Sequence, residues 1–340
     1  MRPKVTRLLI AALLIPACSG GHAITAVKDA PLQSPAPQST DDRTPIIKVV
    51  VLGSGNPVPS RTQAGTAILV EAGGDRFLFD CGRGCTTRLA QHDPRLVSSI
   101  DKIFLTHLHS DHVVGIPDLW LNGWTQGRGT PLSVWGPTGT GAMMEGLRAA
   151  YSADISYRLP TGTTDPAALT REIHLISENG VVYDRKGVKI TAFRVHHADI
   201  PAYGYRIDYG GKSVLLSGDT SVAPNLARYG QGTDIALLEV ASPPMVDYVQ
   251  RSFPPEQADK ILALHLTADQ AAETFAAMSP RLGIYYHTVS NCAADKALMA
   301  MTRESYSGPL TIARDLTVIE VTQDGIHIDE PGAPEECSAE

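Results

Sequence analysis

The succession of apolar runs predicts an α+β chain in which two β-sheets pack face to face with helices on both outer surfaces, an αββα four-layer sandwich. Three observations carry this expectation. Strand-like runs come in groups in both halves of the chain, with helix-like segments interspersed. No sequence period of solenoid type recurs. The chain has 340 residues, 43% hydrophobic and 19% charged, which is enough for a large core and is the balance of a folded domain.

Taken in order, residues 46–52 are a continuous apolar, β-branched run, the pattern of a buried strand, broken by Gly53-Ser54-Gly55-Asn56-Pro57. Residues 66–71 and 76–79 form a strand pair around Gly73-Gly74. A helix is expected at 86–92, a strand at 102–106 and a helix at 116–124. A strand at 132–135 and a helix at 143–151 follow. Residues 188–195, 203–209 and 213–217 are three strands with glycine-containing turns between them, and 235–240 is another. Helices at 255–264 and 268–277 carry acidic residues in or near their first turns, where the helix dipole favours them. A strand at 282–286, a helix at 294–303 and a closing strand at 316–321 complete the pattern. One domain over about 46–330 is expected, with 331–340 as a tail.

The N-terminus has the form of an address. Arg2, Lys4 and Arg7 precede an uninterrupted apolar run at 8–15, too short to span a bilayer as a mature helix. Ala17-Cys18 follows, so residues 1–18 resemble a bacterial lipoprotein signal. Export is expected, to the periplasm or to a membrane through a lipid anchor on Cys18. A plain secretory signal cut near Ala17 or Ala23 is the alternative. Residues 19–45, rich in Pro, Ser, Ala, Gln and Asp, bury too little apolar surface to order themselves and are expected to be a flexible linker. Besides Cys18 there are Cys81, Cys85, Cys292 and Cys337, some of which could pair in an oxidising compartment. The formal net charge is −7, and nothing in it favours nucleic acid or an anionic membrane surface.

The chemistry is concentrated at Thr106-His107-Leu108-His109-Ser110-Asp111-His112, directly after the strand at 102–105. Imidazole and carboxylate suit zinc and similar divalent ions. Alternation puts His107 and His109 on one side of an extended chain. Asp111 and His112 lie just beyond, where a turn could aim them at a second ion. One ion cannot take all four and keep a position open for water, so the spacing itself suggests two metals.

His-x-His-x-Asp-His after a strand resembles the signature of the metallo-β-lactamase superfamily. Other segments resemble its ribonuclease Z and arylsulfatase-like branch. These are the opening strand and loop at 52–60, Phe79-Asp80-Cys81-Gly82-Arg83-Gly84, Tyr203-Gly204-Tyr205-Arg206-Ile207, Ser217-Gly218-Asp219-Thr220, His265-Leu266-Thr267 and Tyr286-His287. The resemblance covers about 46–322 and implies the metallo-β-lactamase fold and two divalent metal ions, with Zn2+ expected. It implies that His107, His109 and a histidine at 196 or 197, with His197 preferred, hold one ion. Asp111, His112 and His287 hold the other, and Asp219 bridges both. Asp80 is expected to orient a ligand histidine, and His196, if not a ligand, to stand behind the ligands. Zinc β-lactamases of the best-known type place a cysteine where this chain has Asp219, so antibiotic hydrolysis is not expected.

Two adjacent cations lower the pKa of a shared water towards about 7, making hydroxide available to attack an ester. Asp111 could orient that water or take its proton. His265 is the candidate general acid, with Glu239 holding its other nitrogen, as the branch's His–Glu pair implies. The main expectation is therefore an exported hydrolase of a small phosphodiester or aryl sulfate, expected to work as a homodimer. A ribonuclease Z-like activity on the 3′ end of tRNA is an alternative. Its gripping arm could be 152–186, which carries five acids (Asp154, Asp165, Glu172, Glu178, Asp184) against four bases (Arg158, Arg171, Arg185, Lys186), no basic stripe. A non-catalytic metal-binding protein is a further alternative, though every matched ligand position is kept. Trp120, Trp124 and Trp135 could line a pocket, with core packing the plainer expectation.

Overall fold

The computed structural model describes residues 44–289 and 291–331, without the side chain of Cys292. The expected export signal, most of the expected linker and nearly all of the expected tail lie outside the described residues.

Among the described residues, fifteen strands form two sheets. The first runs β15-β14-β1-β2-β3-β4-β5-β6, with β1 Ile47–Gly53, β2 Ala67–Ala72, β3 Asp75–Phe79, β4 Lys102–Phe104, β5 Leu132–Gly136, β6 Arg171–Leu175, β14 Thr317–Val321 and β15 Ile326–Asp329. The second runs β13-β12-β11-β10-β9-β8-β7, with β7 Gly180–Arg185, β8 Val188–Arg194, β9 Tyr203–Tyr209, β10 Lys212–Leu216, β11 Ile235–Glu239, β12 Leu282–Tyr286 and β13 Leu310–Ile312. The helices are α1 Cys85–His92, α2 Leu96–Ser99, α3 Ser110–Val113, α4 Ile116–Thr125, α5 Thr140–Ala150, α6 Ser152–Arg158, α7 Pro224–Gly230, α8 Pro243–Ser252, α9 Pro255–Leu262, α10 Ala268–Met278 and α11 Cys292–Arg303.

Strand alternation builds the layers. In β1, Ile47, Val49 and Val51 point into the core between the sheets, whereas Val50 and Leu52 pack on the helix side with Leu89, Ile116 and Trp120. A separate apolar layer joins the far face of the second sheet to Leu226, Phe275 and Leu298 of α7, α10 and α11. The expected αββα sandwich is therefore the observed one. Aromatic rings fasten the inner layer: Phe104 stacks on Trp135 at 4.5 Å and Phe79 lies 5.2 Å from Tyr205 across the sheets. Such pairs contribute about 0.5–1.5 kcal/mol beyond their buried area. Trp120 and Trp124 are fully buried on the helix side, so the three tryptophans are core residues.

Residues 152–186 correct the expected arm. They fold as α6, two short 3-10 turns, β6 and β7, so the segment crosses from the edge of one sheet to the edge of the other. The structure adds β6, β7, β13, β15, α7, α8 and the short helices α2, α3 and α6 to the elements expected from sequence. β6 is an edge strand with little buried surface and so shows no apolar run. α8 begins Pro243-Pro244, which looks like a loop but suits the first helical turn, where proline's missing N–H costs nothing. Among the described residues, no helix is long and apolar enough to cross a membrane.

Candidate metal centre

β3 and β4 run parallel, as do β10, β11 and β12, so their carboxyl ends open at one end of the sandwich. Each of the expected site residues but one lies in the chain leaving such an end. Asp80 follows β3, the His107–His112 turn follows β4, and His197 follows β8. Asp219 follows β10, Glu239 ends β11 and His287 follows β12. The exception, His265, stands three residues before α10, whose start is fixed by a reciprocal cap between Thr267 and Gln270.

The local backbone is specialised for this. Asp80 and His287 adopt φ of 56°, in the left-handed region, an uncommon conformation that turns both side chains out of their strands. Gly218 has φ of 62°, and a Cβ there would lie 2.9 Å from both Thr106 Cβ and the Tyr203 carbonyl oxygen. Only glycine lets Asp219 sit so close to the histidine turn. Tyr286 Oη accepts from the Gly218 N–H at 3.0 Å and ties that loop to β12.

Two clusters of ligand-type atoms result. His107, His109 and His197 bring one nitrogen each within 4.8 Å of one another, and Asp111, His112 and His287 do the same. Asp219 lies between them. Its Oδ1 is 3.3 Å from both His112 Nε2 and His287 Nε2, and its Oδ2 is 3.9 Å from His197 Nε2. The edges His109–His197 and His112–His287 are each 3.2 Å. Tetrahedral ligands at about 2.0–2.1 Å from an ion stand about 3.4 Å apart, so the spacing fits. His107 Nε2 and Asp219 Oδ1 are buried with no hydrogen-bond partner. Buried polar atoms are ordinarily satisfied, and these two face the cluster centre. The residues present therefore fit two divalent ions. His196 does not join them: it is exposed and its Nδ1 lies 3.2 Å from Ser221 Oγ.

Hydrogen bonds behind the rim set which nitrogen points inward. Asp80 Oδ2 accepts from His112 Nδ1 at 2.8 Å and from the Thr106 hydroxyl at 2.8 Å. Thr106 Oγ1 then accepts from His107 Nδ1 at 3.0 Å, and the Leu264 carbonyl accepts from His197 Nδ1 at 3.1 Å. Each ring is left with Nε2 facing the cluster. Burial, then the neighbouring His112 imidazole, hold His107 well below its ordinary pKa, so it stays an unprotonated donor. Burial pushes Asp219 upward, but the His287 and His112 imidazoles outweigh it and keep the carboxylate ionised.

His265 and Glu239 stand together beside the rim. Glu239 is fully buried; its Oε1 accepts from the Thr220 and Leu266 N–H groups, each at 3.1 Å, and its Oε2 faces His265 Nδ1 at 3.2 Å. Burial pulls the His265 pKa down, but the Glu239 carboxylate prevails and holds it at about 9. His265 also lies within ligand reach of His197 and Asp219.

The rim forms the floor of a cavity of about 390 Å³. Its walls were missed by sequence reasoning. On one side are α8 and α9 with Met245, Tyr248, Val249, Phe253 and Ile261; on the other is Pro57-Val58-Pro59. Buried Asp315 anchors that second wall, accepting from the Ser54 and Ala64 N–H groups and from Arg88 at 2.7–2.9 Å. No spacing rule marks a lone aspartate at 315 as a loop anchor. Cys81 and Cys85 are buried and reduced, so neither is in a disulfide.

With that geometry in hand, comparison places the chain. A beta-lactamase superfamily domain matches residues 75–288. The ribonuclease Z of Mycobacterium marinum is 30% identical over 282 residues, 81% of this chain and 99% of that protein. The metallo-β-lactamase fold protein YhfI of Bacillus subtilis superposes with a TM-score of 0.61 at 20% identity, covering 81% of this chain and 99% of that one. The short form of human tRNase Z gives 0.60 at 22% identity, again over 81% and 99%. The chain belongs to the metallo-β-lactamase superfamily of hydrolases, in its ribonuclease Z branch.

Proposed function

We propose that the chain is a two-metal phosphodiesterase, and that its reaction is of the ribonuclease Z kind, the cleavage of a phosphodiester at the 3′ end of an RNA precursor. The observation that carries the phosphodiester reading is the bridging place of Asp219 between two histidine clusters, with the His265–Glu239 pair beside them. Likeness to ribonuclease Z supports RNA and gives no support to the aryl sulfate expected from sequence.

His107, His109, His197 and Asp219 would hold one ion, and Asp111, His112, His287 and Asp219 the other. Two divalent ions there, zinc by donor type, would make hydroxide available near neutral pH and draw charge from the phosphoryl oxygens. Asp111 Oδ2, 3.3 Å from His287 Nε2, orients the attacking water. His265 gives its Nε2 proton to the leaving oxygen, and Glu239 holds Nδ1–H so that Nε2 faces the reaction. The Thr220 and Leu266 N–H groups donate to Glu239 and fix its carboxyl group in place.

A second reading, a small phosphodiester, is favoured by the walls of the cavity, which carry no lysine or arginine among the described residues. An exported chain, as the first 18 residues propose, would also meet no tRNA. The test is turnover of a tRNA precursor, bis(p-nitrophenyl) phosphate and p-nitrophenyl sulfate by the zinc-loaded protein, against a His109→Ala control. Cleavage of either phosphodiester well above the sulfate supports the proposal, and RNA against nitrophenyl ester decides between the readings. Sulfate turnover alone, or none above the control, rejects it.

A further inference from the structure

The cavity is chemically two-sided. Apart from the Tyr248 phenol at the mouth, its ionisable lining residues belong to the metal rim or to the acid beside it: His109, Asp111, His197, Asp219 and His265. Its outer walls are mainly apolar; the Asn56 carboxamide there accepts from the Val58 N–H at 2.9 Å. Met245 and Val249 on α8 are buried, packing with Ala258 of α9 in a small cluster of their own. Tyr248 is half-exposed at the mouth, and Phe253 closes the end of α8. Val58 faces them from the β1–β2 loop. Arg83, whose guanidinium reaches that loop, donates to the Val58 and Gln63 carbonyls.

A charged substituent entering between these walls would lose its water and gain no ion-pair partner, a cost of several kcal/mol in general terms. An uncharged ring would bury its faces against Met245, Val249 and Phe253 and stack at the mouth against Tyr248. Resting on the phosphodiesterase reading, we propose that this pocket takes an uncharged planar ring carried by the scissile phosphodiester, and that α8 and α9 thereby set substrate choice. Two sources offer such a ring: an aryl ester group and an unpaired nucleobase. The phosphate sits over the rim, and the ring lies between the helical hairpin and Val58.

Calorimetric titration of the zinc-loaded full chain tests this with phosphate monoesters, which present the phosphate and one substituent without turnover. The probes are methyl, phenyl and hexyl phosphate, ribose 5-phosphate and uridine 5′-monophosphate. The expected result is that at least one ring-bearing ligand binds about tenfold or more tightly than its ringless partner, from the added apolar burial. Phenyl over methyl alone identifies an aryl ester. Uridine monophosphate over ribose phosphate alone identifies a nucleobase. Val249→Asp is expected to collapse the preference. Tyr248→Ala, at an exposed position that tolerates truncation, is expected to reduce it several-fold and keeps the test alive if the buried aspartate prevents folding. Equal affinities within both pairs overturn the proposal, as does hexyl phosphate binding more tightly than phenyl phosphate. If the protein hydrolyses bis(p-nitrophenyl) phosphate and shows no ring preference, the pocket inference alone is wrong. If it neither hydrolyses that ester nor binds any monoester, the phosphodiesterase reading falls with it.

Discussion

The imidazole–carboxylate rim and the α8–α9 hairpin face the same cavity, yet they are held in place by different means. Most rim residues follow buried strand ends, and three of them, His107, His112 and His197, are gripped a second time by a hydrogen bond from behind. The hairpin rests on a small apolar cluster of its own, with several residues only half-buried. Burial and the hydrogen bonds behind the rim suit metal chemistry, which tolerates little displacement of ligands. The hairpin has no such constraint, since apolar contact is non-directional and tolerates change of shape. The difference separates reaction from selection: the sheets carry the chemistry, and the helical hairpin chooses what reaches it.

Substitutions should divide along this line. The largest effect is expected at Asp219, which serves both clusters. Asp219→Ala should lower phosphodiester turnover by about 10³-fold or more and bring the bound zinc, measured by atomic absorption, below two ions per chain. A variant that kept both ions and most activity would break the bridging role. Next comes His265→Ala, which should cost about 10²–10⁴-fold in kcat while leaving metal content unchanged. Loss of an ion instead would make His265 a ligand. Glu239→Gln removes the carboxylate that holds His265 at about 9, so the alkaline limb of the pH–rate profile should move to lower pH. The sign follows from the role: an acid must be protonated to act, and a lowered pKa strips its proton earlier as pH rises.

Asp80→Asn should have a smaller effect, weakening zinc affinity about 10–100-fold, because it keeps the shape behind His112 but loses the charge. Tyr248→Ala should be the mildest: stability within about 0.5 kcal/mol of the parent by thermal melting, with its consequence confined to ligand preference. If Tyr248→Ala lowered kcat as strongly as His265→Ala, the division between reaction and selection would be false.

How much of this was legible in the sequence follows the same division. The His107–His112 turn is readable because four ligand-type side chains in six positions are rare by accident and follow a strand. Asp219, His265 and His287 each stand in a short motif; of the adjacent pair, His197 lies in a cluster of ligand-type atoms and His196 faces Ser221, a distinction that two consecutive histidines do not show in sequence. The hairpin was half legible: α9 showed a helical pattern, while Pro243-Pro244 disguised α8. The pocket they form depends on residues far apart in sequence, Val58 and Val249 among them, and no periodicity connects those. Residues 152–186 looked like an arm because β6 and β7 are edge strands whose exposed polar residues hide the alternation. Asp315 gave no local signal, since its partners Ser54, Ala64 and Arg88 are brought to it by the sheet alone.

The most direct test is titration of zinc into the metal-stripped chain while turnover of bis(p-nitrophenyl) phosphate is followed. The account predicts two ions per chain, with full activity reached only as the second is taken up, and with both uptake and activity impaired in Asp219→Ala. Full activity at one ion, or two bound ions with no hydrolysis of any phosphodiester, would contradict it.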